Sequence, residues 1–273
     1  MLGQSRILLL FFVALCACEG KEARLHKFLL KGNIASRDRN WEQAMYYYGE
    51  AIRLEPCYAD AWNNLGTVYF QQQRFEKAME NYDKALNCRP KFINELAVNH
   101  AIVQYYLKNF DEATTELQKV AKQNDQEPNI YNTLSLIETE LGHYAEAMNF
   151  INEAIRLDPL QSYYVNNRGY IFLLQDALIS AEADINFSIA KDPNNAWAYR
   201  NKGIFYLKKN DFGSAERLLK QALEMDPFVD KIHFYLGMAY LKNGKKELAC
   251  SSFKKSEKLN DKMITPDLLK SCK

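Results

Sequence analysis

The sequence predicts an all-α chain built as a row of similar helical hairpins, and three observations predict it. The heptapeptide EAIRLEP at Glu50 to Pro56 returns as EAIRLDP at Glu153 to Pro159. Pro56 and Pro90, Pro159 and Pro193, and Pro193 and Pro227 are each 34 residues apart. Small side chains recur on the same period, with alanine at 44, 78, 113, 147, 181, 215 and 249. A fixed period of this size is the mark of a stacked repeat architecture.

Each part of the period has a physical reason. Two antiparallel helices approach closely only where each offers a small side chain. The first helix supplies Gly32, Gly66, Ala101, Ser135, Gly169, Gly203 and Gly237. The second supplies the alanines above and, seven residues on, Ala51, Ala85, Val120, Ala154, Ser188, Ala222 and Ser256. Large residues such as Trp62, Leu65, Tyr69 and Tyr82 fill the space on either side. A closing proline removes a backbone donor and stops the second helix.

The stretch Trp62-Asn63-Asn64-Leu65-Gly66-Thr67-Val68-Tyr69, followed by Ala78, Tyr82, Ala85 and Pro90, resembles the tetratricopeptide repeat. With the small residue of the first helix taken as position 8, the resemblance spans seven repeats, at 25–58, 59–92, 94–127, 128–161, 162–195, 196–229 and 230–263. It implies a right-handed α-solenoid, a superhelix with the first helices on its concave side. Residues 264–273, starting a short helix at Pro266, are expected to cap the last repeat. The third repeat is irregular: it gains one residue around Lys91-Phe92-Ile93, has Asp125 where a proline is due and places His100 at position 7. The gain reads as a tolerated loop insertion, with a soft joint as the alternative.

The first residues read differently. One cation, Arg6, precedes the apolar run Ile7 to Val13, and Leu15-Cys16-Ala17-Cys18 follows before charges resume. This is a secretory signal pattern, too short to span a bilayer. Its end resembles the bacterial lipobox, which implies residues 1–17 as signal peptide, Cys18 as the lipidated first residue of the mature chain and 18–24 as a linker. Ordinary signal cleavage is the alternative and would leave a secreted or periplasmic protein. Arg24, Lys27 and Lys31 lie close to the proposed lipid, where anionic head groups would meet them. Cys57, Cys88, Cys250 and Cys272 show no metal-ligand spacing. Nothing in their spacing selects a pair, and they read as free, mostly helix-embedded thiols.

The chain carries 35 basic and 34 acidic side chains, so no global field draws it to nucleic acid. The charge is uneven: residues 111–160 hold 10 acids against 3 bases, and residues 230–273 hold 10 lysines against 5 acids. His26, His100, His143 and His233 fall in different repeats and cannot cluster. No phosphate loop, nucleophile elbow or HExxH helix is present. We therefore expect no catalytic residues, no metal, no cofactor and no enzymatic activity.

The functional expectation rests on the concave side. Position 6 holds Asn64, Asn99, Asn167 and Asn201, with Thr133 in the fourth repeat. An amide both donates and accepts, so a column of amides can pair with the main chain of an extended ligand. This is similar to the asparagine ladder of peptide-binding tetratricopeptide proteins. Tyr105, Tyr106, Tyr163, Tyr170, Trp197, Phe234 and Tyr235 are expected to face inward beside the cations Arg200, Lys208, Lys231 and Lys242. The cations of a chaperone-tail carboxylate clamp are missing, with Leu29 and Asn33 in the first repeat and Glu95 and Asn99 in the third. The resemblance thus predicts a cell-envelope scaffold, membrane-attached through its lipid, that binds a protein or peptide partner. The alternatives are a substrate-holding accessory to a peptidoglycan or glycan enzyme, and self-association as a homodimer.

Overall fold

A computed structural model describes residues 20–88, 93–259, 261, 263–270 and 272. The expected signal peptide at 1–17, Cys18, Pro90, and Lys91 and Phe92 of the inserted stretch lie outside the described residues. Fifteen helices are present among the described residues, and no strand. They are α1 Lys21–Arg37, α2 Trp41–Leu54, α3 Ala59–Gln71, α4 Phe75–Asn87, α5 Ile93–Tyr106, α6 Phe110–Ala121, α7 Pro128–Leu141, α8 Tyr144–Leu157, α9 Ser162–Leu174, α10 Leu178–Lys191, α11 Ala196–Lys208, α12 Phe212–Met225, α13 Ile232–Lys242, α14 Lys246–Lys258 and α15 Pro266–Lys270. Two compact units divide the chain, one running to Asp125 and the other from Gln126. Each is an α-solenoid of helical hairpins.

Each odd-numbered helix from α1 to α13 packs on the helix that follows it, closest at the small residues. A Cβ placed on Gly66 would lie 2.6 Å from Tyr82, and one on Gly32, Gly203 or Gly237 would strike Tyr48, Leu219 or Phe253 as closely. The glycines therefore make room for a large side chain on the partner helix. Where position 8 is Ala101 or Ser135, the opposing residues are Leu117 and Ile151, both fully buried. Ser135 uses the close approach to donate its hydroxyl to the carbonyl of Ala147 at 2.9 Å. Burial pushes the hydroxyls of Tyr48 and Tyr82 up to about 12.

The turn inside every hairpin passes through one left-handed residue: Arg39, Gln73, Lys108, Gly142, Asp176, Asn210 and Gly244. Only Gly142 and Gly244 adopt that conformation without a Cβ penalty. The interval is 34 residues except between Gln73 and Lys108, where it is 35, on either side of the inserted residue. The first turns are capped where the sequence allows it. Asn40, Asn195 and Asp211 accept from the backbone N–H of Gln43, Ala198 and Ser214, and Pro128 opens α7.

Within each unit, successive hairpins share apolar clusters. Val68 of α3 packs with Ala35, Ala44 and Tyr48 of the first hairpin, and Val103 of α5 with Ala78, Tyr82 and Ala85 of the second. Ile171 of α9 does the same with Ala147, Ile151 and Ala154. No hairpin completes its core alone, so stacking is part of the folding of each.

The cysteines correct the expectation of free thiols. Cys57 bonds Cys88, and Cys250 bonds Cys272, with Cα atoms 5.2 Å and 5.4 Å apart. Cys57 lies ahead of α3 and Cys88 at the end of α4, so neither is embedded in a helix. A hairpin brings its own start and end together, and the first bond closes the second repeat there. The second bond fastens the segment carrying α15 to α14. Met263, Ile264, Leu268 and Leu269 of that segment pack against the last hairpins' core.

Candidate functional site

The position-6 amides form one recurring contact. Asn99 donates to the side-chain oxygen of Asn63 at 3.2 Å, Asn167 to Asn132 at 2.8 Å and Asn201 to Asn166 at 2.9 Å. In each case the donor stands at position 6 of one first helix and the acceptor at position 5 of the preceding one. The first repeat has Leu29 at position 5, so Asn64 reaches Asn33 at position 9 instead, at 2.9 Å. Thr133 takes no part and donates to the carbonyl of Asn129 within its own helix. The ladder thus joins neighbouring first helices, and one donor of each amide is consumed inside the stack.

The first unit leaves part of this face open. A cavity of about 180 Å³ is lined by Leu29 of α1, by Ala59, Asp60, Asn63 and Asn64 of α3, and by Glu95 and Leu96 of α5. Among the described residues neither Asp60 nor Glu95 makes an ion pair. The cavity is smaller than the roughly 300–1,000 Å³ of a small-molecule site. It fits a side chain rather than a cofactor. Leu29, Asp60, Asn63 and Leu96 were not singled out from sequence as binding residues. The Asn63-Asn64 doublet was a usable signal, because one amide accepts from the next repeat while the other donates to the previous one.

The second unit fills the corresponding face with its own side chains. Arg200 is 3% exposed and Asn201 0%. The guanidinium lies between the rings of Tyr170 and Trp197, at 4.6 Å and 4.8 Å. It donates from Nε and Nη2 to Asn201 Oδ1 and from Nη1 to the carbonyl of Asp230. Tyr170 and Tyr235 meet hydroxyl to hydroxyl at 3.2 Å. Lys231 pairs with Glu140 of α7. Burial opposes the charge of Lys231, yet Asp230 and Glu140 together hold its pKa above the ordinary value. Burial also pushes both tyrosines up.

Six predicted site residues, Tyr170, Trp197, Arg200, Asn201, Lys231 and Tyr235, are therefore brought together, in contact with one another and with Asp230 and Glu140. Tyr163 stands apart, donating to Asn129 at 2.7 Å. Tyr106 stacks on Phe75 at 4.9 Å and edges Phe70, away from the cavity. Among the described residues no group of acids, histidines and cysteines is arranged to hold a metal.

Two of the four histidines, His100 and His233, are partly buried, whereas His26 and His143 are exposed. His100 lies 2.7 Å from Glu116 and 3.3 Å from Asp83. Burial opposes its charge, but the two carboxylates outweigh burial and raise its pKa. His233 is lowered by burial and by Lys255.

Comparison with known proteins agrees with this architecture. Sequence models of the tetratricopeptide repeat match residues 40–73, 59–92, 128–159 and 200–261, together more than half of the chain. Stress-induced-phosphoprotein 1 of Caenorhabditis elegans is 26% identical over 172 residues, which are 50% of this chain and 53% of that protein. Sperm-associated antigen 1 of Rattus norvegicus is 32% identical over 41% of this chain and 12% of its own length. The chain thus spans about half of the one relative and a small part of the other. A UDP-N-acetylglucosamine–peptide N-acetylglucosaminyltransferase of Giardia intestinalis is matched over only 8% of its length. Among solved structures, a tetratricopeptide repeat protein of Parabacteroides merdae superposes with a TM-score of 0.63 at 18% identity, covering 91% of this chain and 98% of that one. The pilF protein of Pseudomonas aeruginosa gives 0.58 at 18% identity, covering 80% and 98%. Four matching repeat models, hairpins on a 34-residue period and a shared fold agree: the chain belongs to the tetratricopeptide repeat proteins, whose general role is to mediate protein–protein interaction.

Proposed function

We propose that the chain is an exported, lipid-anchored binding protein of the cell envelope, without enzymatic activity of its own. Its concave first helices take an extended segment of a protein partner. The observation that carries this reading is the cavity between α1, α3 and α5. It combines apolar walls from Leu29 and Leu96 with the amides of Asn63 and Asn64 and the carboxylates of Asp60 and Glu95, which form no ion pair among the described residues. A peptide main chain would use the amides, and a basic side chain would neutralise the acids on entering the cavity. The shielded cluster around Arg200 is not the contact surface in this reading, since a ligand there would first have to displace Tyr170, Tyr235 and Glu140. The two disulfides suit export, because such bonds persist in oxidising compartments.

Photo-crosslinking in the native cell tests the groove. A crosslinking residue at Asp60 or Leu96 should capture a partner, one at exposed Glu80 should not, and Asp60→Lys with Glu95→Lys should reduce capture about tenfold or more. Equal capture from Glu80, or undiminished capture by the double variant, would overturn the groove.

A further inference from the structure

The first hairpin begins the stack, and its outer edge shows what a hairpin leaves uncovered. Position 10 in later repeats is held by Val68, Val103, Ile137, Ile171, Phe205 and Ala239, all at most 3% exposed. In the first repeat that position is Ile34, 43% exposed, and position 6 is Leu30, 61% exposed, where four of the six later repeats carry an asparagine. Position 7 is leucine in three later repeats, at 65, 134 and 236, and His100, Arg168 and Lys202 in the other three. Each of the last three meets an acid or amide on the preceding hairpin: Asp83, Asn152 and Glu182 respectively. Lys31 stands at position 7 of the first repeat and rests on the ring of Tyr47 at 5.4 Å, with the exposed Tyr46 against that ring's edge. This edge therefore offers two bare aliphatic side chains, an interfacial aromatic and cations.

Charge decides what covers it. Helix α1 holds five cations, Lys21, Arg24, Lys27, Lys31 and Arg37, against Glu22. A second copy docking edge to edge would set this helix against its own image, cation on cation. The other end of the chain is no better: α14 is basic, and the α15 segment is fastened over it by Cys250–Cys272. The occupant must be anionic and must receive Leu30 and Ile34. We propose that this edge rests on a membrane surface of anionic lipid, Leu30 and Ile34 entering the headgroup–acyl boundary while Arg24, Lys27 and Lys31 meet phosphates beside Tyr46. Its placement at the bilayer rests on the lipoprotein reading above, in which one residue, Glu19, separates Cys18 from helix α1's cap Gly20, a reach of about 7 Å at most.

The test separates the surface from the anchor. The chain from residue 18 onward with Cys18→Ser, its helical fold checked by circular dichroism, carries no acyl group. It should sediment with vesicles of phosphatidylglycerol and phosphatidylcholine and remain in solution with phosphatidylcholine alone. Leu30→Ser with Ile34→Ser, both exposed in the folded chain, should weaken that binding more than about tenfold. Arg24→Gln with Lys31→Gln should weaken it and flatten its salt dependence. Equal sedimentation with both vesicle types, an unaffected Leu30/Ile34 variant, or a lipid-free dimer that this variant dissolves would overturn the proposal; the last outcome makes a second copy the occupant. Acyl labelling of the full chain is scored separately. Vesicle binding without acylation would leave the surface standing and remove the anchor.

Discussion

His100 stands where α5 meets the preceding hairpin, its ring held by Glu116 of its own hairpin and Asp83 of α4. Its folded pKa is raised, so protonated imidazole is the form the fold favours. The stabilisation is fully present below about 6.5, the ordinary value, and is lost as pH rises through the raised folded pKa. Urea unfolding of the wild type should therefore show stability falling through that window. His100→Gln should flatten this dependence and cost about 1 kcal/mol on the acid side only. A pH profile of identical slope in the variant would remove His100 from the account. Sequence placed this residue correctly at a packing position but could not supply its partners, because Asp83 lies across a repeat boundary in the chain. The asparagines behaved alike. Their period and their place on the first helices were legible, whereas the acceptors Asn63, Asn132 and Asn166 depend on how far one first helix slides past the next.

Helix α13 differs from its counterparts by a missing first turn. The first helices of the second, fifth and sixth repeats start at Ala59, Ser162 and Ala196, position 1, but α13 starts two positions later, at Ile232. Asp230 and Lys231 have left the helix. The carbonyl of Asp230 turns to Arg200, and Lys231 adopts a left-handed backbone at φ 58° while its ammonium reaches Glu140. That conformation costs a β-carbon residue about 1–2 kcal/mol, and the half-buried pair offsets it. Glu140→Gln should then destabilise the chain by about 2 kcal/mol by thermal or urea unfolding. Lys231→Gly relieves the backbone while removing the pair, and in that background Glu140→Gln should cost almost nothing. Additive losses in the double variant would mean that the two residues are not coupled. At this scale the hairpins were legible throughout, since small residues and proline stops act locally. The lost turn was not, because Lys231 reads as an ordinary early helix residue until Glu140, 91 residues away, is placed beside it.

The cysteines bear on the whole chain, because they report the compartment in which it folds. Cys57–Cys88 and Cys250–Cys272 close segments of 31 and 22 residues, one in each unit. In the chain-entropy account each is worth about 3 kcal/mol, enough to decide the stability of a marginal domain. The bonds hold only where no thiol pool reduces them, which is also what the proposed leader ahead of Cys18 would imply. Leader and bonds therefore make one joint prediction. Chain extracted from cells in denaturant without reductant, and alkylated at once, should show no reactive thiol at Cys57, Cys88, Cys250 or Cys272. Chain made without residues 1–17 in a reducing cytosol should alkylate at all four and melt several degrees lower until it is oxidised. Cys57→Ser with Cys88→Ser should reproduce the first unit's share of that loss and be insensitive to further reduction there. Reactive thiols in the exported chain would remove the structural role of both bonds, and equal melting of oxidised and reduced chain would show that the helical stacks hold each unit without them.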